Sequence, residues 1–121
     1  LQGGGDSDFI DGSLSNDLLL GDDTVGTAGA DTILGGDGSD TIYGDADTLS
    51  AGGNDSLLGD SGNDEIYGFA GDDYLNGGDG DDLLDGGEGN DFLTDELGIN
   101  TLLGDAGNDT ITGGLDADLI E

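Results

Sequence analysis

The sequence predicts an all-β solenoid in which short parallel strands stack into coils, two strands to a coil. Three observations carry that prediction. A nine-residue pattern recurs along nearly the whole chain, each repeat places one large aliphatic residue at the same position, and the residues before it are dominated by glycine and aspartate. The pattern is plainest in Gly77-Gly78-Asp79-Gly80-Asp81-Asp82-Leu83-Leu84-Asp85, and Gly86-Gly87-Glu88-Gly89-Asn90-Asp91-Phe92-Leu93-Thr94 restates it. Two glycines open the unit, a third stands at the fourth place, an Asp at the sixth and the aliphatic residue at the eighth.

Aligned on the eighth place, the chain reads Ile10, Leu19, Ile33, Ile42, Leu57, Ile66, Leu75, Leu84, Leu93, Leu102, Ile111 and Ile120, which makes twelve units. The spacing is nine except for fourteen before Ile33 and fifteen before Leu57. Two places earlier stand Asp8, Asp17, Asp31, Asp40, Asp55, Asp64, Asp73, Asp82, Asp91, Asn100, Asp109 and Asp118. A solvated run of acids has no reason to keep that register. The fourth-place glycine is replaced by Asp6, Ser15 and Asp116 in the outermost units, the degeneracy expected at solenoid ends. The tenth unit, Asp95 to Leu103, lacks both its opening glycines and its sixth-place Asp, and is expected to be the weakest link. The two long steps are read as turn insertions near 22–27 and 45–52, where added length costs least.

Glycine-rich sextets suit tight turns because glycine adopts positive φ without a clash. The three residues that follow suit a very short strand, whose alternation points the eighth-place side chain inward and its neighbours outward. If each unit is a strand plus a reversal, two units close a coil of about eighteen residues, and coils stack at about 4.8 Å. Odd units then form one sheet and even units the other, in about six coils. Both insertions belong to odd units, so a paired protrusion is expected on one edge.

Composition bounds the chemistry. A chain of 121 residues is enough for a single domain, 1–121, and it carries 30 acidic residues against no Lys, Arg or His, a net charge of −30. With 28 glycines and 32% apolar residues it lies in the range of disordered acidic segments, so a cation is expected to fold it. Nucleic acid and anionic membrane surfaces are excluded as electrostatic partners, since both require basic residues. No run approaches the ~20 apolar residues of a membrane span, so direct membrane insertion is not expected. Without Cys or His there are no sulfur or nitrogen ligands for zinc, copper or iron, and the all-oxygen set points to calcium. Leu1-Gln2 is neither an initiator Met nor a cleavable signal, so the piece is expected to be cut from a longer protein.

Stacking brings the sixth-place Asp of one unit beside that of the next but one, Asp73 beside Asp91 and Asp64 beside Asp82. Two such carboxylates repel unless protonated or bridged by a cation. Calcium accepts six to eight hard oxygens, and glycine turns leave carbonyls free to reach it. On these residues the chain resembles the repeats-in-toxin (RTX) family, whose G-G-x-G-x-D-x-U-x nonapeptide runs here from Gly3 to Glu121. The resemblance implies a right-handed parallel β-roll with calcium along both edges, exported within a larger bacterial protein by type I secretion and folding on calcium outside the cell. It implies side-chain ligands at Asp8, Asp17, Asp31, Asp40, Asp55, Asp64, Asp73, Asp82, Asp91, Asp109 and Asp118. Carbonyl ligands would come from the openings of turns such as Gly35, Gly36, Asp37 and Gly38, Gly77, Gly78, Asp79 and Gly80, and Gly86, Gly87, Glu88 and Gly89. About eight to ten ions are expected, with the sites involving Asn100, Asp8 and Asp17 weaker. The implied role is a folding switch and stiff scaffold for flanking domains of the parent protein.

Other readings are weaker. An EF-hand loop requires acids at one, three and five and Glu at twelve between helices, and no stretch offers this. Without His, Cys, Lys or Arg, catalysis is reduced to a carboxylate pair of glycosidase type, and the paired carboxylates are better explained as calcium ligands. Tyr43 with Tyr67, and Tyr74 with Phe92, share places in next-but-one units and are expected to stack on outer faces. Such pairs commonly stabilise sheets; a carbohydrate platform or a docking face for flanking domains is the alternative.

Overall fold

The computed structural model of the protein describes residues 1–22, 28–46 and 52–121. Twelve strands follow in order: β1 (Phe9–Asp11), β2 (Leu18–Leu20), β3 (Thr32–Asp37), β4 (Thr41–Tyr43), β5 (Ser56–Ser61), β6 (Glu65–Ala70), β7 (Tyr74–Asp79), β8 (Leu83–Glu88), β9 (Phe92–Thr94), β10 (Thr101–Leu103), β11 (Thr110–Thr112) and β12 (Leu119–Ile120). Each unit of the sequence contributes one strand. They sort into two six-stranded sheets, β1-β3-β5-β7-β9-β11 and β2-β4-β6-β8-β10-β12, with every pairing parallel. This is a parallel β-roll, with odd and even units segregated as the nine-residue spacing predicts.

Register follows the eighth place without a slip. Ile33 pairs with Leu57, Leu57 with Leu75 and Leu75 with Leu93 in one sheet, while Ile42 pairs with Ile66 and Ile66 with Leu84 in the other. A slip of one residue would turn the inward column to the other face, leaving the ladder of buried eighth-place side chains and sixth-place carboxylates out of line with the next coil. These side chains form one core from Ile10 to Leu102, a file of residues from each sheet, with Ile111 packed against its end. The last coil is open: Ile120 remains 50% exposed.

Five strands are longer than the three residues the sequence suggests. β3, β5, β6, β7 and β8 run on for six residues through the first three places of the next unit. There Gly36 pairs with Asp60, Asp60 with Gly78 and Phe69 with Gly87. Glycine's poor strand propensity is overridden because the stacked coil supplies both neighbours of the ladder. Along such a strand the inward residues are the sixth, the eighth and the first of the next unit, as in Asp31, Ile33 and Gly35, all buried.

The second and fourth places are where the chain reverses. Gly78 has φ 111° and Gly80 φ 151°, and where glycine is lacking at the second place, Asp60 and Phe69 take φ 70° and 75°. The fourth place is doubly constrained, since a methyl group on Gly80 would overlap the carbonyl of Gly62 in the preceding coil. Most of both insertions, 23–27 and 47–51, lies outside the described residues, and with it the expected protrusion.

Leu57, 0% exposed, is held on both sides in the file. Leu57→Ala is expected to lower stability in saturating calcium by about 2–5 kcal/mol, measured by chemical denaturation. Leu115, 102% exposed, is the matching control: Leu115→Ala should change stability by no more than about 0.5 kcal/mol.

Candidate metal centre

The sixth-place carboxylates form two columns, one along each edge of the roll, joined by a ladder of hydrogen bonds. The Asp64 amide donates to Asp82 Oδ1 at 2.7 Å, and the Asp73 amide donates to Asp91 Oδ1 at 2.8 Å. The same link joins Asp8 to Asp31, Asp17 to Asp40, Asp31 to Asp55, Asp40 to Asp64, Asp55 to Asp73, Asp82 to Asn100, Asp91 to Asp109 and Asn100 to Asp118. Each carboxylate is thus aimed by a main-chain amide of the coil before it. Because the insertions fall between a first-place glycine and a fourth-place glycine, the ladder passes them in register.

One oxygen of each carboxylate is used in this way and the other is not. Oδ2 of Asp31, Asp40, Asp55, Asp64, Asp73, Asp82 and Asp91 is buried with no hydrogen-bond partner among the described residues. A buried carboxylate oxygen without a donor is costly unless a proton or cation meets it. The space beside it is kept open by the first-place glycine. A methyl group at Gly59 would overlap Asp64 Oδ2 and the carbonyl oxygen of Gly77 in the next coil, and one at Gly68 would overlap Asp73 Oδ2 and approach the Gly86 carbonyl to 2.7 Å. The cradle of Gly35 likewise joins Asp40 Oδ2 at 2.5 Å with the Gly59 carbonyl at 2.6 Å. These glycines show no positive φ, so their role is to leave room for something between the oxygens.

Among the described residues no three acidic groups converge on one point. Cradles such as those of Gly35, Gly59 and Gly68 instead combine one carboxylate with main-chain oxygen from the adjoining coil, a hard, anionic donor set that fits calcium. The carbonyls of Gly35, Gly77 and Gly86 point into the cradles of Gly12, Gly59 and Gly68. Those of Asp37, Asp79 and Glu88 accept the amides of Ser15, Gly62 and Gly71, and that of Gly87 accepts the amide of Ala106. The second-place residues Gly36 and Gly78 lie against the carbonyls of Ser13 and Asp60 in the coil before. The fourth-place carbonyls of Gly38, Gly80 and Gly89 lie against Gly62, Gly98 and Gly107 of the coil after. At the ends Asp8, Asp17, Asp109 and Asp118 are only partly buried.

Three further aspartates, Asp22, Asp45 and Asp95, are buried and each keeps one oxygen without a partner among the described residues. The sequence marks them only as acids at opening-glycine places. A second, exposed ladder runs along the fifth place, where Asn63 Oδ1 accepts the Asp81 amide at 3.2 Å and Asp72 Oδ1 accepts the Asn90 amide at 2.8 Å. Short polar residues at that place are its signal. On the outer faces Tyr43 stacks on Tyr67 at 5.2 Å, and Tyr74 stacks on Phe92 at 5.6 Å, as their shared places predict. Phe69, not singled out by the repeat, joins the first pair at 5.7 Å from Tyr43.

Burial dominates the electrostatics. It pushes Asp55 up to about 8, Asp73 to about 7 and Asp64 to about 6, against the opposing effect of the ladder amide, and neighbouring carboxylates add to the rise. Asp45 is raised to about 6 in the same way, and Asp31, Asp82 and Asp91 are raised as well.

The family model described as RTX calcium-binding nonapeptide repeat matches the chain in four copies, over residues 1–24, 21–48, 49–84 and 85–120. No curated protein and no solved structure matches it.

The raised carboxylates set a sign for pH. Unfolded aspartates titrate near ~3.9, so between that value and the folded values of about 6 to 8 the metal-free fold holds more protons than the unfolded chain. The contribution of the raised carboxylates to its stability is therefore full below about pH 4 and lost as pH rises through the folded values. In chelator, circular dichroism is expected to show more β structure at about pH 4.5 than at pH 8. In calcium the order reverses, because the ion displaces protons and its midpoint rises as pH falls. A chelated protein that gains β structure on going to pH 8 would contradict the assignment of buried carboxylates.

Proposed function

The chain belongs to the RTX calcium-binding nonapeptide repeat family, and from that premise we propose that it is the calcium-operated folding switch and stiff scaffold of an exported bacterial protein. One observation carries the reading. Seven sixth-place aspartates, from Asp31 to Asp91, each hold a buried, unpartnered Oδ2 beside a glycine cradle, in a chain with no Lys, Arg or His. The fold creates a demand for cations that its own side chains do not meet.

In this reading Asp31, Asp40, Asp55, Asp64, Asp73, Asp82 and Asp91 are the principal side-chain ligands, and first-place carbonyls such as those of Gly35, Gly77 and Gly86 complete the sites. Asp8, Asp17, Asp109 and Asp118 are weaker ligands at the ends, and about eight to ten ions are expected in all. In the regular cradles a carboxylate of one coil and a carbonyl of the next would hold the same ion, so binding and stacking are one process. In the low calcium of a cytosol the chain stays a repelling acidic thread suited to type I secretion. Outside the cell, calcium offsets much of that charge and zips the coils into a rod that supports flanking domains. Mutual stacking accounts for the outward aromatic groups, so no carbohydrate or other partner is assigned to them.

Circular dichroism during a calcium titration tests the reading. A cooperative change from coil to β structure is expected near 10⁻⁴ to 10⁻³ M, roughly the extracellular range. A spectrum unchanged at several millimolar would reject it.

A further inference from the structure

Unit ten is the one turn of the even edge that departs from the cradle plan. Where a regular unit opens with glycine stands Asp95, and where it carries Asp stands Asn100. Asp95 is 1% exposed, its Oδ1 accepts the Leu97 amide at 3.3 Å, and its Oδ2 has no partner. That free oxygen is directed at the preceding coil. A methyl group at Gly77 would overlap Oδ2 of Asp95 and reach Oδ2 of Asp82 at 2.5 Å, so the two carboxylates converge on one cradle. In the neighbouring cradle of Gly59 the corresponding oxygens are one carboxylate, from Asp64, and one carbonyl, from Gly77. Asp95 therefore puts a charged oxygen where the regular coil puts a neutral one.

Asn100 does the complementary thing. Its Oδ1 continues the ladder by accepting the Asp82 amide at 2.9 Å, while its Nδ2 donates to the Leu97 carbonyl at 3.3 Å. The amide nitrogen takes the position that the unpartnered Oδ2 has in regular turns. It is a donor and satisfies that turn internally, with nothing left to offer a cation.

We propose that Asp82 and Asp95 form a two-carboxylate calcium site at the Gly77 turn, and that the Asn100 turn is closed by its own amide and holds no ion. This rests on reading the cradles as calcium seats. The ligand lost at the sixth place of unit ten is recovered at its first place, displaced by one coil. Calcium affinity rises with the charge of the ligand set, so this site fills before the single-carboxylate cradles and ties the unit that departs most from the repeat to the body of the roll.

The test uses the full chain and calcium alone, with bound ions counted by equilibrium dialysis and folding followed by circular dichroism. Asp95→Asn keeps the shape and the acceptor for Leu97, and is expected to bind one ion fewer at saturation, or to weaken the tightest class of sites about tenfold, with a higher folding midpoint. Glu96→Gln, an exposed neighbour, should move neither. If Asp95 is only a repelling buried charge, Asp95→Asn will bind as many ions with an unchanged or lower midpoint, and the proposal falls. Asp95→Glu separates charge from shape. Binding that is lost in Asn and kept in Glu supports the carboxylate role, including where Asn no longer folds; loss shared by both variants overturns it. Wild-type protein that binds no calcium would instead overturn the reading of the cradles themselves.

Discussion

Everything in this roll depends on carboxylates buried without a counter-charge. The inward face of a regular repeat offers three positions, and the chain fills them with an aspartate, one aliphatic residue and a glycine. Of these only the aliphatic residue contributes apolar packing, and it does so one side chain at a time. Beside it runs a column of acids whose Oδ1 atoms are bound to the preceding coil and whose Oδ2 atoms meet nothing. Such a column opposes folding until protons or cations occupy it. The fold is for that reason conditional, and the condition is ionic.

The glycines divide the remaining work by place. Those at the first place leave a hole next to the carboxylate, those at the second allow a left-handed residue, and those at the fourth let one coil's backbone touch the next. The three demands tolerate substitution differently. Asp60, Phe69 and Asp105 stand at the second place with φ between 58° and 75°, the strained but accessible left-handed region. Asp95 at the first place changes the contents of a cradle rather than the path of the chain.

The architecture was legible in the sequence to an unusual depth because a strict nine-residue spacing fixes both register and partner. The pairing of Asp64 with Asp82 follows from spacing alone, and so does the stacking of Tyr74 on Phe92. What the spacing hides is anything decided by the adjoining coil. Gly36 and Gly78 look like turn residues and pair as strand, because stacked neighbours on both sides outweigh propensity. Asn63 and Asp72 look like solvated turn residues, yet hold the next coil's amides. Asp95 reads as a defect in the repeat until its carboxylate is found beside that of Asp82.

The central claim is that the buried Oδ2 atoms are where calcium sits and where coils are joined. Anomalous diffraction from calcium-loaded crystals tests it most directly. The account predicts ion peaks stacked along both edges, at about 2.3–2.6 Å from Oδ2 of residues such as Asp64 and Asp73, with carbonyl oxygen of the adjoining coil in the same shell. Peaks confined to exposed carboxylates such as Asp60, Asp79 and Asp81, with no density beside those Oδ2 atoms, would contradict it.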